Sequence, residues 1–265
     1  MTVMAISDPL ALPGIGPRLR AMRRAKGMSQ EELAELLNCS QSYLAKLEAG
    51  RPMTPAMQRA AESMLRVAAE DGHVGYLLPL VALEPLATRI RTFDDLVPGL
   101  AQTRPYARCV IAAANPGISA ADLDQQTDAR MARQGIWERP DPPMFAAIID
   151  ESAIRRRVGS RQIMRDQMAR LAELADRDRH PGVTIQILPF SAGNSVGTVA
   201  PFVILSFNPD DRPDTGYTED TISGRTTEKP HRVARLGLLF DAMAPEALRP
   251  RESADLLAEA VEQWT

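Results

Sequence analysis

The sequence has few of the residues from which metal sites, disulfides and membrane spans are built. Its 265 residues include two cysteines and three histidines, and neither set has the spacing of metal ligands or of a disulfide framework. No run of about eighteen apolar residues is present, and no basic segment precedes the apolar residues of the N-terminus. We therefore expect a cytoplasmic protein with no metal, no cofactor, no signal peptide and no membrane contact.

The common arrangements of catalytic residues are also missing. Neither a Gly-x-Ser-x-Gly element nor a Cys–His arrangement occurs. Asp150 and Glu151 are adjacent, so their side chains diverge and cannot act as a paired acid and base. Residues 193–197 are glycine-rich but do not open a helix after a strand, which favours a hinge, a lid or a plain surface turn over a phosphate loop. The sequence therefore predicts that the protein is not an enzyme.

Charge is divided unevenly along the chain, although the net charge is only −3. Residues 14–69 contain nine lysines and arginines against five acidic residues, a balance of +4, which leaves −7 for the remainder. A basic segment beside an acidic one suits contact with nucleic-acid phosphates by the first segment alone. The acidic segment would be repelled by the same phosphates.

The strongest positive signal is the spacing of a helix-turn-helix in residues 30–47. Ser29 followed by Glu32 predicts a capping box, and Ser40 can cap the second helix. Asn38 falls where the turn needs a residue that tolerates a left-handed backbone. The apolar positions are those at which two short, steeply crossed helices share a core: Leu33, Leu37, Cys39, Leu44 and Leu47.

The second helix of this motif would present its first turn to base edges in the major groove of DNA. Gln41, Ser42 and Lys46 lie opposite the leucines; Gln suits adenine, Lys suits guanine and Ser is less selective. A solvated polar face is the alternative for these three. Tyr43 suits phosphate contact or partial burial against the next helix. The full set of predicted DNA contacts is Gln30, Ser40, Gln41, Ser42, Tyr43, Lys46 and Arg51.

The chain divides into an arm, a helical domain and a mixed domain. Residues 1–13 show no period and predict a flexible arm. Residues 14–72 predict an all-helical DNA-binding domain, and residues 73–265 predict a larger α+β regulatory domain. The helices expected in the first domain are 18–26, the two helices of the motif within 30–47, and 55–70, with ends set by Pro, Ser and Gly residues.

Five segments of the mixed domain have the composition of β-strands: 89–93, 145–150, 183–189, 202–207 and 216–219. The second and fourth are near-continuous apolar runs, which predicts positions inside a sheet. Ser160 and Ser253 are expected to cap two of the helices. Five segments predict helices: 103–114, 119–134, 160–178, 230–243 and 253–263.

Residues 16–69 resemble the Cro/repressor-type regulators, also called the xenobiotic-response-element family, over the segment RLRAMRRAKGMSQEELAELLNCSQSYLAKLEAGR. The resemblance implies a sequence-specific, DNA-binding transcription regulator. It also implies an ion pair between Arg23 and Glu48 that joins the first helix to the end of the third; ordinary surface charges are the alternative. Because one such domain buries little DNA surface, we expect a homodimer on a roughly palindromic double-stranded site.

The mixed domain contains four motifs in this order: LVPGLAQTRPYARCV, DARMARQGIW, IIDESAIRRRVGS and VTIQILPFSAG. Over these motifs it resembles the C-terminal domain of actinobacterial regulators related to those that control sporulation and antibiotic production. The resemblance implies that this domain dimerises and binds a small, acidic partner protein. The alternative is a small-molecule sensor that controls DNA binding.

Six residues of the mixed domain are candidates for a ligand or partner site. Arg130, Arg133 and Gln134 recur at positions i, i+3 and i+4 of a predicted helix, where they could hold an anion or a partner's carboxylates. A solvated helix face is the alternative. If the domain is a sensor, its pocket is expected between the sheet and the helices. The aromatic residues predicted to lie near that pocket are Trp137, Phe190 and Phe202.

Overall fold

Four helices form the N-terminal part of the protein in a computed structural model that describes residues 14–25, 28–69, 78–192, 199–219 and 224–264. We call residues 14–69 the head and residues 78–264 the body. The helices of the head are α1 (Ile15–Ala25), α2 (Gln30–Leu36), α3 (Gln41–Glu48) and α4 (Pro55–Ala69). The predicted arm, the predicted boundary at residues 72 and 73, and the glycine-rich segment 193–197 lie outside the described residues.

Local sequence signals set the ends of the motif helices as predicted. Ser29 and Glu32 form a capping box, with the Glu32 amide donating to Ser29 Oγ over 3.1 Å and the Ser29 amide donating to Glu32 Oε2 over 2.6 Å. Ser40 Oγ caps α3 by accepting from the Tyr43 amide. Asn38 has a φ of 47° in the turn between the two helices. These three predictions are confirmed.

Helix α1 begins earlier than predicted and packs very closely against α3. It starts at Ile15 rather than at residue 18, which places Gly16 in its first turn. A Cβ atom on Gly16 would lie only 1.9 Å from the carbonyl oxygen of Leu47, well inside any van der Waals contact. Glycine is therefore required here because no side chain fits between the backbones of the two helices.

The body is built on a mixed sheet of six strands in the order β3-β2-β1-β4-β5-β6. The first three strands in sequence run parallel to one another, and β4, β5 and β6 continue the sheet antiparallel. The five predicted strands are present, and the two apolar ones, β2 and β4, are interior as predicted. The strands are β1 (Arg89–Asp94), β2 (Met144–Asp150), β3 (Val183–Leu188), β4 (Phe202–Ser206), β5 (Thr215–Glu219) and β6 (Gly224–Thr227).

Strand β6 was not predicted because its sequence, GRTT, has no apolar period. It lies at the edge of the sheet, pairs only with β5, and none of its four residues is fully buried. An edge strand with little burial leaves no hydrophobic pattern in the sequence, and its position is set by pairing with a neighbour.

Helices cover both faces of the sheet. The five helices predicted for the body are present; α5 and α8 are additional short helices. The body helices are α5 (Leu78–Leu83), α6 (Arg104–Ala114), α7 (Ala120–Ala132), α8 (Ser152–Arg155), α9 (Arg161–Ala175), α10 (Pro230–Met243) and α11 (Pro250–Gln263). Helix α10 packs Phe240 and Met243 against Ile148 and Ile204 on one face. The other face carries the larger core, and α9 and α11 pack together over it.

The prediction that Ser253 caps the last helix is wrong, whereas Ser160 caps α9 as expected. Helix α11 begins at Pro250, so Ser253 lies inside its first turn. The Ser253 hydroxyl is fully buried, accepts from the Ile187 amide over 3.0 Å and donates to the Leu248 carbonyl over 3.1 Å. It therefore ties α11 to β3 instead of ending the helix.

The core of the head continues into the core of the body. One cluster of buried apolar side chains includes Leu33 and Leu65 from the head, Leu80 from α5, and Ile90 from β1. Helix α4 makes extensive contacts with α5, which connects the two parts. The helix-turn-helix is therefore packed against the body.

Candidate functional site

The exposed face of α3 carries the polar residues predicted to read bases. Leu44 and Leu47 are fully buried on one side of the helix, and Gln41, Ser42 and Lys46 are exposed on the other. The cap at Ser40 holds the first turn of α3 in place. The structure therefore brings three potential hydrogen-bonding side chains together on a fixed, solvent-facing helix surface.

The other predicted DNA contacts occupy the margins of this surface. Ser40 is exposed but its hydroxyl already serves as the cap of α3. Tyr43 is half-buried and Arg51 is exposed just beyond the end of α3. Gln30 is also half-buried, and its side-chain amide donates to Glu48 Oε2 over 2.9 Å. Gln30 thus holds a neighbouring side chain of the head in addition to bordering the exposed face.

Arg23 and Glu48 form a two-pronged ion pair between α1 and the end of α3. Arg23 Nε donates to Glu48 Oε1 over 2.7 Å, and Nη2 donates to Oε2 over 3.1 Å. The side chains are only 12% and 3% exposed. Burial alone would raise the pKa of Glu48, but hydrogen bonds from Arg23 and Gln30 and the charge of Arg23 lower it below the ordinary value. The carboxylate is therefore ionised at neutral pH and fixes α3 against α1.

Arg130 and Gln134 are half-buried, the side chain of Arg133 is buried, and each of the three has a partner in the same chain. Arg130 donates to Gln102 Oε1 over 3.0 Å, and Gln134 donates to the Gln102 carbonyl over 2.6 Å. Arg133 donates twice to Glu84 Oε atoms, over 3.0 and 2.7 Å, in a pair that is almost fully buried. Burial alone would lower the pKa of Arg133, but the charge and hydrogen bonds of Glu84 raise it.

The three predicted pocket aromatics are not brought together. Trp137 donates its Nε1–H to the Leu100 carbonyl over 3.1 Å and packs edge-on against Phe145. Phe190 lies beyond the end of β3 and is 64% exposed. Of the three, Phe202 alone borders the cavity that the described residues form in the body.

That cavity has a volume of about 240 Å³ and lies between the sheet and a turn that precedes α6. Its floor includes Thr92, Val203 and Tyr217, which stand side by side in register on β1, β4 and β5. Arg130 and Arg133 border it from the opposite side. The apolar part of its lining includes Leu80, Ile90, Leu96, Val97, Leu100, Val110 and Phe145.

Two carboxyl groups also border the cavity, at the C-terminal ends of β1 and β5. Tyr217 donates its hydroxyl to Glu219 Oε2 over 2.8 Å, and Thr92 Oγ1 lies 2.5 Å from Asp94 Oδ2. Burial raises the pKa of Asp94 to about 7; the charge of Glu219 adds to the rise, whereas the Thr92 hydrogen bond and the charge of Arg133 oppose it. Asp94 therefore titrates near neutral pH.

Sequence reasoning missed these strand residues, although a signal was present. Ile90, Thr92 and Asp94 alternate along β1, so polar groups continue the face that carries a buried isoleucine. Tyr217 and Glu219 repeat the same alternation on β5. Polar residues at inward positions of a strand indicate either a buried hydrogen-bond network or a binding site.

Residues 15–74 match a family of helix-turn-helix domains, and residues 77–259 match the family described as Domain of unknown function (DUF5753). The second match covers more than half of the chain. The chain belongs to the DUF5753 family. The comparison with curated proteins returns no match, and neither does the comparison with solved structures. The first match contains α1 to α4, and the DUF5753 match contains every residue named above around the cavity.

The described part of the DUF5753 chain contains neither a membrane-spanning helix nor a group of metal ligands. None of its helices combines the length and apolar character needed to cross a bilayer. No group of three or more His, Cys, Asp or Glu side chains within the described ranges could hold a metal ion. The finer resemblance to actinobacterial regulators stays a prediction.

Proposed function

We propose that the protein is a sequence-specific, DNA-binding transcription regulator rather than an enzyme. One observation carries the proposal: Gln41, Ser42 and Lys46 face solvent on a helix whose opposite side is anchored by fully buried leucines. A helix presented in this way can enter the major groove without rearrangement of the head. The match to helix-turn-helix domains and the excess of positive charge in the head support the same function.

The residues around α3 would have two roles: some would contact bases, and others would position α3 on the duplex. Gln41 and Lys46 can each make a two-pronged contact with a purine, worth about 1–3 kcal/mol of discrimination. Arg51 and Tyr43 lie at the margin, where contacts to phosphate set the register without reading sequence. The Arg23–Glu48 pair would orient α3 relative to α1, since it joins the two helices inside the head.

Selection of binding sites from a random duplex library, followed by affinity measurements on the selected site, tests this assignment. Gln41→Ala and Lys46→Ala should each relax the preference at one base position. Arg51→Ala should weaken all sequences alike and reduce the slope of log affinity against log salt by about 1. Arg165→Ala serves as the charge-matched control because Arg165 is exposed on α9 of the body.

An unchanged sequence preference in both Gln41→Ala and Lys46→Ala would remove these residues from base readout. Equal effects of Arg51→Ala and Arg165→Ala would show that binding responds to net charge alone. Failure of the wild-type protein to enrich any sequence would overturn the proposed function.

We also propose that the regulator acts as a homodimer on half-sites about one helical turn apart, because one small head buries little DNA surface. Sedimentation of the full chain with and without its selected duplex measures this directly. A monomer that binds one half-site with full affinity would contradict it. The predicted small, acidic partner protein stays a prediction.

A second candidate for the body, a small-molecule sensor, is favoured by the cavity. The cavity combines apolar walls with buried polar groups, as ligand sites do. A partner-binding surface would instead need a continuous exposed apolar patch. The large exposed apolar side chains among the described residues are scattered, with Met144 opening β2, Phe190 following β3 and Leu238 on α10.

A chain of contacts links the cavity to the motif and would carry the signal. Glu228 accepts from Thr215 Oγ1 over 3.3 Å, and Thr215 begins the strand that carries Tyr217 into the cavity. The other oxygen of Glu228 accepts from the side-chain amide of Asn38, in the turn before α3. A ligand that shifts β5 would therefore act on the turn that positions the recognition helix.

The sensor role is tested by analysing the small molecules that remain bound to the protein purified from its own cells. Val203→Phe fills the cavity floor and should abolish retention of any specific compound. Ala169→Ser, at an exposed position of α9 away from the cavity, is the control. Equal retention by both variants would contradict a ligand role for the cavity.

A further inference from the structure

The two cations that border the cavity in the described part of the chain each have a hydrogen-bond partner within the chain. Arg133 is neutralised by the buried carboxylate of Glu84, and Arg130 donates to the side-chain oxygen of Gln102. Gln102 is a neutral partner for Arg130, whereas Arg133 cannot neutralise an anionic ligand without first losing Glu84. Buried pairs of this kind are costly to break, because they leave an uncompensated charge.

The two remaining acids, in contrast, have no cationic partner among the described residues. Asp94 and Glu219 are absent from the ion pairs of that part of the chain, and each is held by a neutral hydroxyl of its own strand. With Glu84 and Arg133 cancelling, the other ionisable groups that border the cavity are these two acids and Arg130. The cavity therefore has a net negative charge when both acids are ionised.

The sheet directs these two acids to one place. Strands β1 and β5 flank β4 and run in the same direction, so Asp94 and Glu219 end the two strands at the same edge. Their backbones are two strand spacings apart, about 10 Å. Asp and Glu side chains are long enough to bring their oxygens within about 5–6 Å across that distance, which is the span of an ammonium group that donates to an oxygen on each side at about 2.8 Å. The charge of Glu219 helps to raise the pKa of Asp94, which shows that the two carboxyls are within electrostatic reach.

The hydroxyl of Thr92 lies within hydrogen-bond distance of two acceptors. Its oxygen lies 2.5 Å from Asp94 Oδ2 and 3.1 Å from the carbonyl oxygen of Phe202. A hydroxyl has one proton and cannot donate to both acceptors. A protonated Asp94 resolves the conflict, because it donates to Thr92 while Thr92 donates to Phe202. The raised pKa of Asp94 agrees with this arrangement.

We propose that the cavity binds a small organic cation, with an ammonium group held between Asp94 and Glu219 and an apolar remainder against Ile90, Val97 and Leu100. The proposal rests on the sensor role given above and names the chemistry of its ligand. The volume of about 240 Å³ suits a small amine, since sites for drug-sized ligands begin at about 300 Å³. The bound cation replaces the proton of Asp94, so binding releases up to one proton near neutral pH.

Isothermal titration calorimetry on the full chain tests this ligand class with three probes of similar shape. These are 2-phenylethylamine, its neutral analogue 2-phenylethanol and the anion 3-phenylpropionate. We expect the amine to bind at least tenfold more tightly than either analogue. Its affinity should rise from pH 6 to pH 8, because Asp94 must lose its proton, and heats in buffers of different ionisation enthalpy should report proton release. Glu219, Asp95, Arg133, Arg130 and Glu84 are the charged groups that surround Asp94 and set this titration.

Asp94→Asn and Glu219→Gln should each weaken amine binding at least tenfold. Asp94→Asn should also abolish the rise with pH, and because Asn mimics the protonated acid it is expected to fold. Asp255→Asn is the matched control, since Asp255 is exposed on α11 and does not border the cavity. Thermal unfolding of each variant establishes that it is folded.

Stronger binding of 3-phenylpropionate, or equal binding of the alcohol and the amine, would overturn the cation proposal while leaving a sensor role intact. The same holds if the amine binds equally to wild type and to both acid variants. Absence of binding by all three probes would also overturn it. The sensor role is contradicted by a separate result. It fails if the wild-type protein and the Val203→Phe variant, both purified from the native cells, retain the same small molecules.

Discussion

Removal of Arg23 should destabilise the head more than removal of Glu48, although the two residues form one ion pair. In Arg23→Met the Glu48 carboxylate stays buried at 3% exposure and keeps only the hydrogen bond from Gln30. In Glu48→Met the Arg23 guanidinium still donates to the Met28 carbonyl over 2.9 Å and lies nearer to solvent. The asymmetry follows because an unpaired charge costs most where water reaches it least.

The magnitudes follow from the burial of the two groups. Breaking a buried pair by deleting one partner costs about 3–5 kcal/mol, which we expect for Arg23→Met. Glu48→Met should cost about 1–2 kcal/mol, because one hydrogen bond to the arginine remains. The double variant Arg23→Met/Glu48→Met should lie within about 1 kcal/mol of the wild type, since no buried charge is left and the side chains are of similar volume.

Hydrogen exchange measured by mass spectrometry can resolve the head from the body. Both tryptophans, Trp137 and Trp264, belong to the body, so their fluorescence reports on the body alone. Peptides from α1 and α3 report on the head. A cost of about 3–5 kcal/mol corresponds to a loss of protection of about one hundredfold to several thousandfold, at about 1.4 kcal/mol per tenfold. Tryptophan fluorescence during urea titration provides the control that the body is unchanged.

The response to acid gives an independent check on the same pair. The pKa of Glu48 is lowered in the folded head, so its stabilising contribution is present above the ordinary carboxyl pKa and is lost as pH falls through the lowered one. Exchange in α1 and α3 should therefore accelerate at low pH in the wild type, and less so in the double variant. Equal losses in the two single variants, or a double variant less stable than Arg23→Met, would refute this reasoning.

Three further predictions concern the packing of the motif. Gly16→Ala should lower stability by about 1–3 kcal/mol or more and weaken DNA binding, because its Cβ meets the Leu47 carbonyl; thermal unfolding followed by circular dichroism and duplex titration measure the two effects. Ser40→Ala should cost about 0.5–2 kcal/mol through loss of the α3 cap, measured by exchange in α3. Asn38→Gly keeps the left-handed turn but removes the bond to Glu228, so exchange around the turn should rise with little change in α3; Asn38→Ala should add about 1–2 kcal/mol of backbone strain.

The elements with strong local patterns could be predicted from the sequence. The capping box at Ser29, the cap at Ser40 and the left-handed Asn38 each depend on residues within a few positions of one another. The five predicted strands and the predicted helices of the body follow from apolar periodicity. Strand β6 and the role of Ser253 were missed, because both depend on partners distant in the sequence.

The exposed face of α3 and the cavity of the body also differ in how far the sequence predicts them. The outward face of α3 could be read from the sequence because its inward leucines recur at helical spacing. Arg133, in contrast, has the spacing of a surface helix residue, and its partner Glu84 lies 49 positions earlier in the chain. Nothing in the local pattern indicates that this arginine is buried or that its charge is already neutralised.

The helix-turn-helix, the strand segments and the exposed polar turn of α3 can therefore be predicted from the sequence alone, since all of these arise from interactions between near neighbours. Contacts made only in the folded chain pack the head on the body through α4 and α5, and place Asp94 and Glu219 at one edge of the sheet, two strands apart. The physical reason is that strand order and layer packing bring together residues more than a hundred positions apart. Charge pairing and burial, and hence the chemistry of the cavity, are consequences of that proximity.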